Sequence, residues 1–228
     1  NIIAANEGGA VGLAAGYHLA TGKIPAVYMQ NSGEGNVVNP LMSLTDKDVY
    51  HMPLLLIIGW RGEPGVHDEP QHVKQGKVTL PLLDAMGIEH TTLSADENEA
   101  EQQVRHAAER MRETGEAYAL VIRKGTFADY KLINTVADES QLTREKAIQM
   151  VAEAMDSRAA AVSTTGKISR ELFEYRAGSG QGHERDFLTV GSMGHASQIA
   201  PLALSASGPN LSELTPPLDP CPNCGGPA

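Results

Sequence analysis

Cysteine is nearly absent. The 228 residues hold two, Cys221 and Cys224, so residues 1–220 can form no disulfide among themselves, and a reducing, cytoplasmic setting fits. Long apolar runs are missing as well. The longest aliphatic one, Leu54 to Ile58, is far too short to cross a bilayer, and no basic segment leading into an apolar stretch opens the chain. Nor is there an excess of basic groups. Against 28 Asp+Glu stand 18 Lys+Arg, a net charge of -10, which argues against a nucleic-acid or anionic-membrane surface and leaves room only for a local anion pocket. What remains is a globular balance, 41% hydrophobic and 20% charged, sufficient to pack a core.

Between its ends the chain alternates. Strand-like apolar segments are expected at Ile2–Ala5, Ala26–Met29, Leu54–Gly59, His90–Leu93, Ala119–Arg123, Ala160–Ser163 and Phe187–Val190. Helix-like segments fall at Gly8–Thr21, Val37–Leu44, Leu80–Met86, Asn98–Thr114, Thr143–Met155, Lys167–Tyr175 and Gly194–Ala200. This rhythm predicts an α/β fold, a parallel sheet with helices on both faces. The polar, turn-rich stretch 126–141 reads as a linker between a domain over 1–125 and the start of a second α/β domain over 142–200. Seven of the 13 prolines fall after residue 200, so 201–228 is expected to be an irregular tail. The apolar pair Ile2-Ile3 directly after Asn1 gives the expectation that the chain opens inside a domain.

Residues 1–16, NIIAANEGGAVGLAAG, place Glu7 where a strand passes into a helix, at the carboxyl edge of the sheet where open α/β folds hold ligands. Gly12 and Gly16, with Gly8 a turn earlier, share one helical face and suit close approach of another backbone. A glutamate favoured by the helix dipole is the alternative account of Glu7. The loop Gln30-Asn31-Ser32-Gly33-Glu34-Gly35-Asn36 follows a strand directly; it suits either a backbone that approaches a ligand or a plain βα turn capped by Asn36. The stretch Trp60–Lys77 reads as a long polar loop after the most apolar strand, and such loops tend to carry function. In it Arg61 can fork onto a dianion or join a solvated salt bridge, His67 and His72 can move protons, and Gln71 can orient a substrate. His67, Asp68, Glu69 and His72 have a metal-like composition, but their spacing matches no ligand set.

Further on, Val162-Ser163-Thr164-Thr165-Gly166-Lys167 lacks the glycine spacing of a nucleotide-triphosphate loop, though a helix start beside Lys167 can hold an anion. Cys221-Pro222-Asn223-Cys224 has half of a zinc-knuckle spacing with no other Cys or His in the tail, and reads as incidental.

Glu7 followed by Gly12-Leu13 and Gly16 resembles the pyrimidine-domain pattern of thiamine-diphosphate enzymes. The segments GYHLATGKIPAVYMQNSGEGN, PLLLIIGWRGEPGVHDEPQHVKQGK and FLTVGSMGHASQIA are similar to the phosphonopyruvate and sulfopyruvate decarboxylase branch of that family, over roughly residues 1–200. The resemblance implies thiamine diphosphate and Mg²⁺ as cofactors and a small 2-oxo acid as substrate. It implies that Glu7 bonds the aminopyrimidine ring nitrogen and that the glycine helix packs across a dimer interface. Ser32, Gly33 and Asn36 are then set against the pyrimidine, with Asn31, Arg61, Gln71 and Lys167 toward substrate and His72 in proton transfer. Ser192 and Met193, in Gly191-Ser192-Met193-Gly194-His195, take the place where relatives hold the cofactor bent, although Met193 also serves as plain core filling. The Gly-Asp-Gly…Asn pattern that holds magnesium in the family does not occur in the chain. The expectation is therefore a fragment: a nearly whole pyrimidine domain, an incomplete diphosphate domain with no metal ligands, and an unrelated tail. It would be completed by a diphosphate-domain subunit or a homo-oligomer.

Overall fold

The computed structural model describes residues 1–131, 133, 140–156 and 158–205, the last five as backbone only. They divide into two compact units, with the boundary after Lys131.

In the first unit Asn6 opens the first helix, α1 (Glu7–Thr21), by accepting from Gly9 N at 2.7 Å, and Gly22 closes it in the left-handed conformation at φ 67°. Then come β1 (Ala26–Gln30), a 3₁₀ turn over Asn31–Gly33, α2 (Glu34–Pro40) and a wider turn over Leu41–Thr45. The unit continues with β2 (Leu55–Gly59), α3 (Pro70–Ala85), β3 (Glu89–Thr92), α4 (Glu97–Thr114) and β4 (Tyr118–Ile122). All four strands are parallel in the order β1-β2-β4-β3, with Ala26 beside Leu55 and Leu55 beside Tyr118, so their carboxyl ends share one edge.

Burial follows the pleat. Val27, Met29, Leu56, Ile58, Ala119 and Val121 face α1, α2 and α3 through Val11, Ala14, Val37, Leu41 and Leu83. Tyr118, Leu120 and Ile122 face α4 through Ala107 and Met111 on the other side. Helices therefore lie on both faces, as the alternation predicts, and β4 is buried at every residue. Cover on the α4 side stops short of the β1 edge, where Tyr28 is 76% exposed.

Three expectations need correction in this unit. Ile2–Ala5 forms no strand: among the described residues nothing pairs with it, and Ile2 and Ile3 are exposed. The helix expected at Val37–Leu44 is α2 from Glu34 to Pro40, followed by the wider turn. The long polar loop at Trp60–Lys77 is a loop only to Glu69, and α3 begins at Pro70, where proline's missing N–H is no loss. Its buried face is Gly76, Thr79 and Leu83, the first two too small or too polar to register as apolar periodicity.

The second unit holds α5 (Arg144–Ala154), capped by Thr143, then β5 (Ala161–Ser163), α6 (Lys167–Gly178), β6 (Asp186–Leu188) and α7 (Ala196–Ser205). β5 and β6 are parallel, and Ala152, Leu172 and Leu188 form their core. α7 runs past Ala200 into the stretch expected to be irregular. Cys221 and Cys224 lie outside the described residues.

Candidate active site

The carboxyl ends of β1 and β2 gather the first unit's candidate residues. Glu7 is the first residue of α1 and half-buried. Its side chain lies across Gly33: a Cβ placed on Gly33 would stand 2.3 Å from Glu7 Cγ and 2.6 Å from Oε1. Asn36 Nδ2 donates to Glu7 Oε2 at 3.0 Å. Three residues expected at one site are thus brought together, with one carboxylate oxygen held and a glycine beneath it. Ser32 Oγ turns to Gln30 Oε1 at 2.8 Å.

Asn31 points the other way. It is 2% exposed; Nδ2 donates to Arg61 O at 2.8 Å and Thr79 Oγ1 at 2.9 Å, while Oδ1 accepts from Arg61 N at 3.1 Å. The side chain is a clamp between the turn after β1 and the backbone after β2. Arg61 forks onto Asp68, Nε to Oδ2 at 2.8 Å and Nη2 to Oδ1, so the salt bridge weighed for it from sequence is formed, while its side chain stays 41% exposed. His72 Nδ1 lies 3.0 Å from Asp68 Oδ1. Gln71 is half-buried beside it, and His67 is exposed. Trp60 Nε1 donates to Gly76 O at 2.9 Å, and a Cβ on Gly76 would meet Gly62 O at 1.7 Å, so the loop after β2 lies backbone to backbone on α3. In the second unit Lys167 opens α6 behind Gly166, Ser192 sits at φ 53° and Met193 is 63% exposed, which excludes core filling for that side chain within its own unit.

Two acidic residues matter here that the sequence reading passed over or placed elsewhere. Asp68 is the hub of the loop, and the Arg61 guanidinium holds its carboxyl far below the usual carboxylate range. The available signal was Asp68 and His72 four apart across a proline helix start, D-E-P-Q-H. Glu34 is 3% exposed, with Oε1 lacking a hydrogen-bond partner, and burial raises its pKa to about 7, partly offset by the Thr79 hydroxyl. No local signal marks it within S-G-E-G-N.

The Glu34 carboxyl therefore folds in protonated and costs stability once it ionises. The sign follows from its raised folded-state value: the contribution is fully present below the unfolded pKa near ~4.3 and is lost as pH rises to about 7. Glu34→Gln is expected to flatten the stability–pH curve and to be more stable than wild type at pH 8 by on the order of 1–3 kcal/mol. Urea denaturation at pH 5 and pH 8 checks it; parallel pH dependences for the two proteins count against a buried acid.

The geometry fits a nitrogen heterocycle that shares a proton with Glu7. Among the described residues no group of three or more His, Cys, Asp or Glu converges. Among the same residues no helix is long and apolar enough to cross a membrane.

Residues 1–88 match the family model described as thiamine pyrophosphate enzyme, N-terminal TPP binding domain. The chain is 31% identical over 208 residues to a phosphonopyruvate decarboxylase of Streptomyces viridochromogenes, covering 85% of this chain and 50% of that protein. It is 33% identical over 210 residues to the phosphonopyruvate decarboxylase of Streptomyces hygroscopicus, with the same two coverages. To the sulfopyruvate decarboxylase subunit alpha of Methanothermobacter thermautotrophicus it is 44% identical over 81 residues, 36% of this chain and 47% of that subunit. The chain thus spans about half the length of the curated relatives it matches. Over residues 1–88, with Glu7, Gly33 and Asn36 gathered at the carboxyl edge of a parallel sheet, the chain is similar to the thiamine pyrophosphate enzyme N-terminal domains.

Proposed function

We propose that the chain supplies the pyrimidine-binding side of a thiamine-diphosphate-dependent decarboxylase that converts 3-phosphonopyruvate to phosphonoacetaldehyde and carbon dioxide. The observation that carries this reading is the Glu7 carboxylate, held by Asn36 and laid over Gly33. The bound cofactor would supply the electron sink that a leaving carboxylate needs. Glu7 would hold a proton at a ring nitrogen, an arrangement that needs an ionisable acceptor and a water-poor wall. Asn36 fixes which carboxylate oxygen remains open. Ser32 is proposed to flank the cofactor. His72 has Nδ1 engaged and is proposed to move a proton through Nε2, with Asn31 setting the floor beneath and Gln71 orienting substrate. Arg61, forked onto Asp68 but exposed at its edge, is proposed to carry the cationic field for a dianionic substrate. The magnesium of the family would come with a diphosphate-binding partner, since no Gly-Asp-Gly occurs in the chain. Gly12 and Gly16, where an added Cβ would meet nothing within 4 Å, and the exposed Leu13 and Tyr17 are proposed to lie against another subunit.

The higher local identity to the sulfopyruvate decarboxylase subunit alpha favours a second reading, in which this chain is the alpha-type part of a two-chain enzyme for a sulfonated 2-oxo acid. One experiment separates the two. The full chain is mixed with a diphosphate-binding subunit, thiamine diphosphate and Mg²⁺, and carbon dioxide is measured from phosphonopyruvate and sulfopyruvate. A kcat/KM at least ~10-fold higher for phosphonopyruvate, ~1.4 kcal/mol, is expected. The reverse preference selects the second reading. No turnover of either, with cofactor bound, points to a partner-binding remnant.

A further inference from the structure

Five donors converge on the two oxygens of Asp68. Oδ2 accepts from Arg61 Nε at 2.8 Å and Gly62 N at 2.7 Å; Oδ1 accepts from Arg61 Nη2, from Glu69 N at 2.7 Å and from His72 Nδ1 at 3.0 Å. A carboxylate offers about four lone-pair sites, so Asp68 has none left to take a proton from a substrate. As a carboxylate it can only accept, and the hydrogen on the His72 side must therefore sit on Nδ1. Both side chains are 12% exposed. The backbone of His72 is fixed too, because a Cβ on Gly62 would stand 2.0 Å from His72 O, and Gly62 adopts φ 69° to permit that contact. A ring held at its backbone and at one nitrogen has one free nitrogen, Nε2.

We propose that Asp68 is a positioning residue, fixing His72 in the Nδ1–H form so that Nε2 is presented as the proton-accepting nitrogen at the carboxyl end of β2. The logic is that of a base with its orienting carboxylate, and it rests on the reading of His72 as the group that moves a proton. Arg61 has a second, indirect part beside its field: its fork keeps Asp68 ionised, and with it the tautomer of His72. The other charged groups of the loop are Glu69 beside Asp68 and Glu63, which pairs with Arg123 at 3.0 Å.

The test uses the full chain with ¹⁵N-labelled histidine, recorded in alkaline buffer. Two-bond ¹H–¹⁵N correlations, assigned to His72 by their loss in His72→Gln, are expected to show a protonated Nδ1 and a bare Nε2. In Asp68→Ala the ring is expected to move to Nε2–H or to a mixture. In the enzyme completed by its diphosphate-binding partner, Asp68→Ala should lower kcat on the order of tenfold or more with KM within about twofold, and Asp68→Glu should recover part of it. An Nε2–H ring in the wild-type chain overturns the proposal whether or not Asp68→Ala folds. An unchanged tautomer in a folded Asp68→Ala overturns it as well. A correct tautomer in a completed enzyme that turns over neither substrate upholds the positioning and removes only the decarboxylase reading.

Discussion

Glu7→Gln, in the chain completed by a diphosphate-binding partner, is expected to lower kcat by at least about 10², or ~2.7 kcal/mol, while leaving the melting temperature within a degree or two. The amide has the size of the carboxyl, and its oxygen can still accept from Asn36 Nδ2, so the local packing survives. That bond decides the orientation of the amide. With oxygen toward Asn36, the –NH₂ faces the open side, and a donor stands where the proposed chemistry needs an acceptor that can hold a proton. The loss is therefore electrostatic, not steric. Carbon dioxide release under saturating cofactor, paired with a thermal melt, checks it. Retention of more than about a tenth of wild-type kcat would remove Glu7 from the site.

The place of Glu7 at the start of α1 was legible in the sequence from a strand-like run, one acidic residue, then a helix with glycines in register. Residues 2–5 nevertheless form no strand, so the apolar run marked the right place for an element that pairing did not supply. The contact with Gly33 and Asn36 spans 29 residues to Asn36 and could be named from the βα turn only as a neighbourhood. The α3 start was hidden for a different reason. Gly76 and Thr79 are buried because the backbone of Gly62 and the side chain of Asn31 press on them, and a periodicity read from large apolar residues passes over both. Arg61 and Asp68 show the limit of composition. A cation in a polar loop reads as a free anion ligand until the carboxylate seven residues on is seen to hold its fork. Glu34 was the hardest case, since burial of an acid between two glycines is a property of the packed turn and leaves no trace in its neighbours.

Gly33→Ala is expected to separate the site from the fold. Gly33 has φ -87° and ψ -7°, which alanine adopts without strain, so the exchange gains on the order of 0.4–1 kcal/mol by restricting the unfolded chain. Against this stands a Cβ 2.3 Å from Glu7 Cγ and 2.4 Å from Cδ. Neither carbon is backbone. The Glu7 side chain swings aside and gives up the bond from Asn36, an exposed one worth roughly 0.5–1 kcal/mol. The two contributions are similar in size and opposite in sign, so stability should stay within ~1 kcal/mol of wild type. Activity should not stay, because a displacement of about 1 Å at a reacting group costs on the order of 10². The completed enzyme carrying Gly33→Ala is therefore expected to melt like wild type and to turn over nearly as slowly as Glu7→Gln. Adding Glu7→Gln to it should cost little more, since both changes remove the same oriented carboxylate. The measurement is the double-mutant cycle in kcat beside the four melting temperatures. Additive losses would mean that Gly33 and Glu7 act separately and that the packing of one on the other has no part in the reaction.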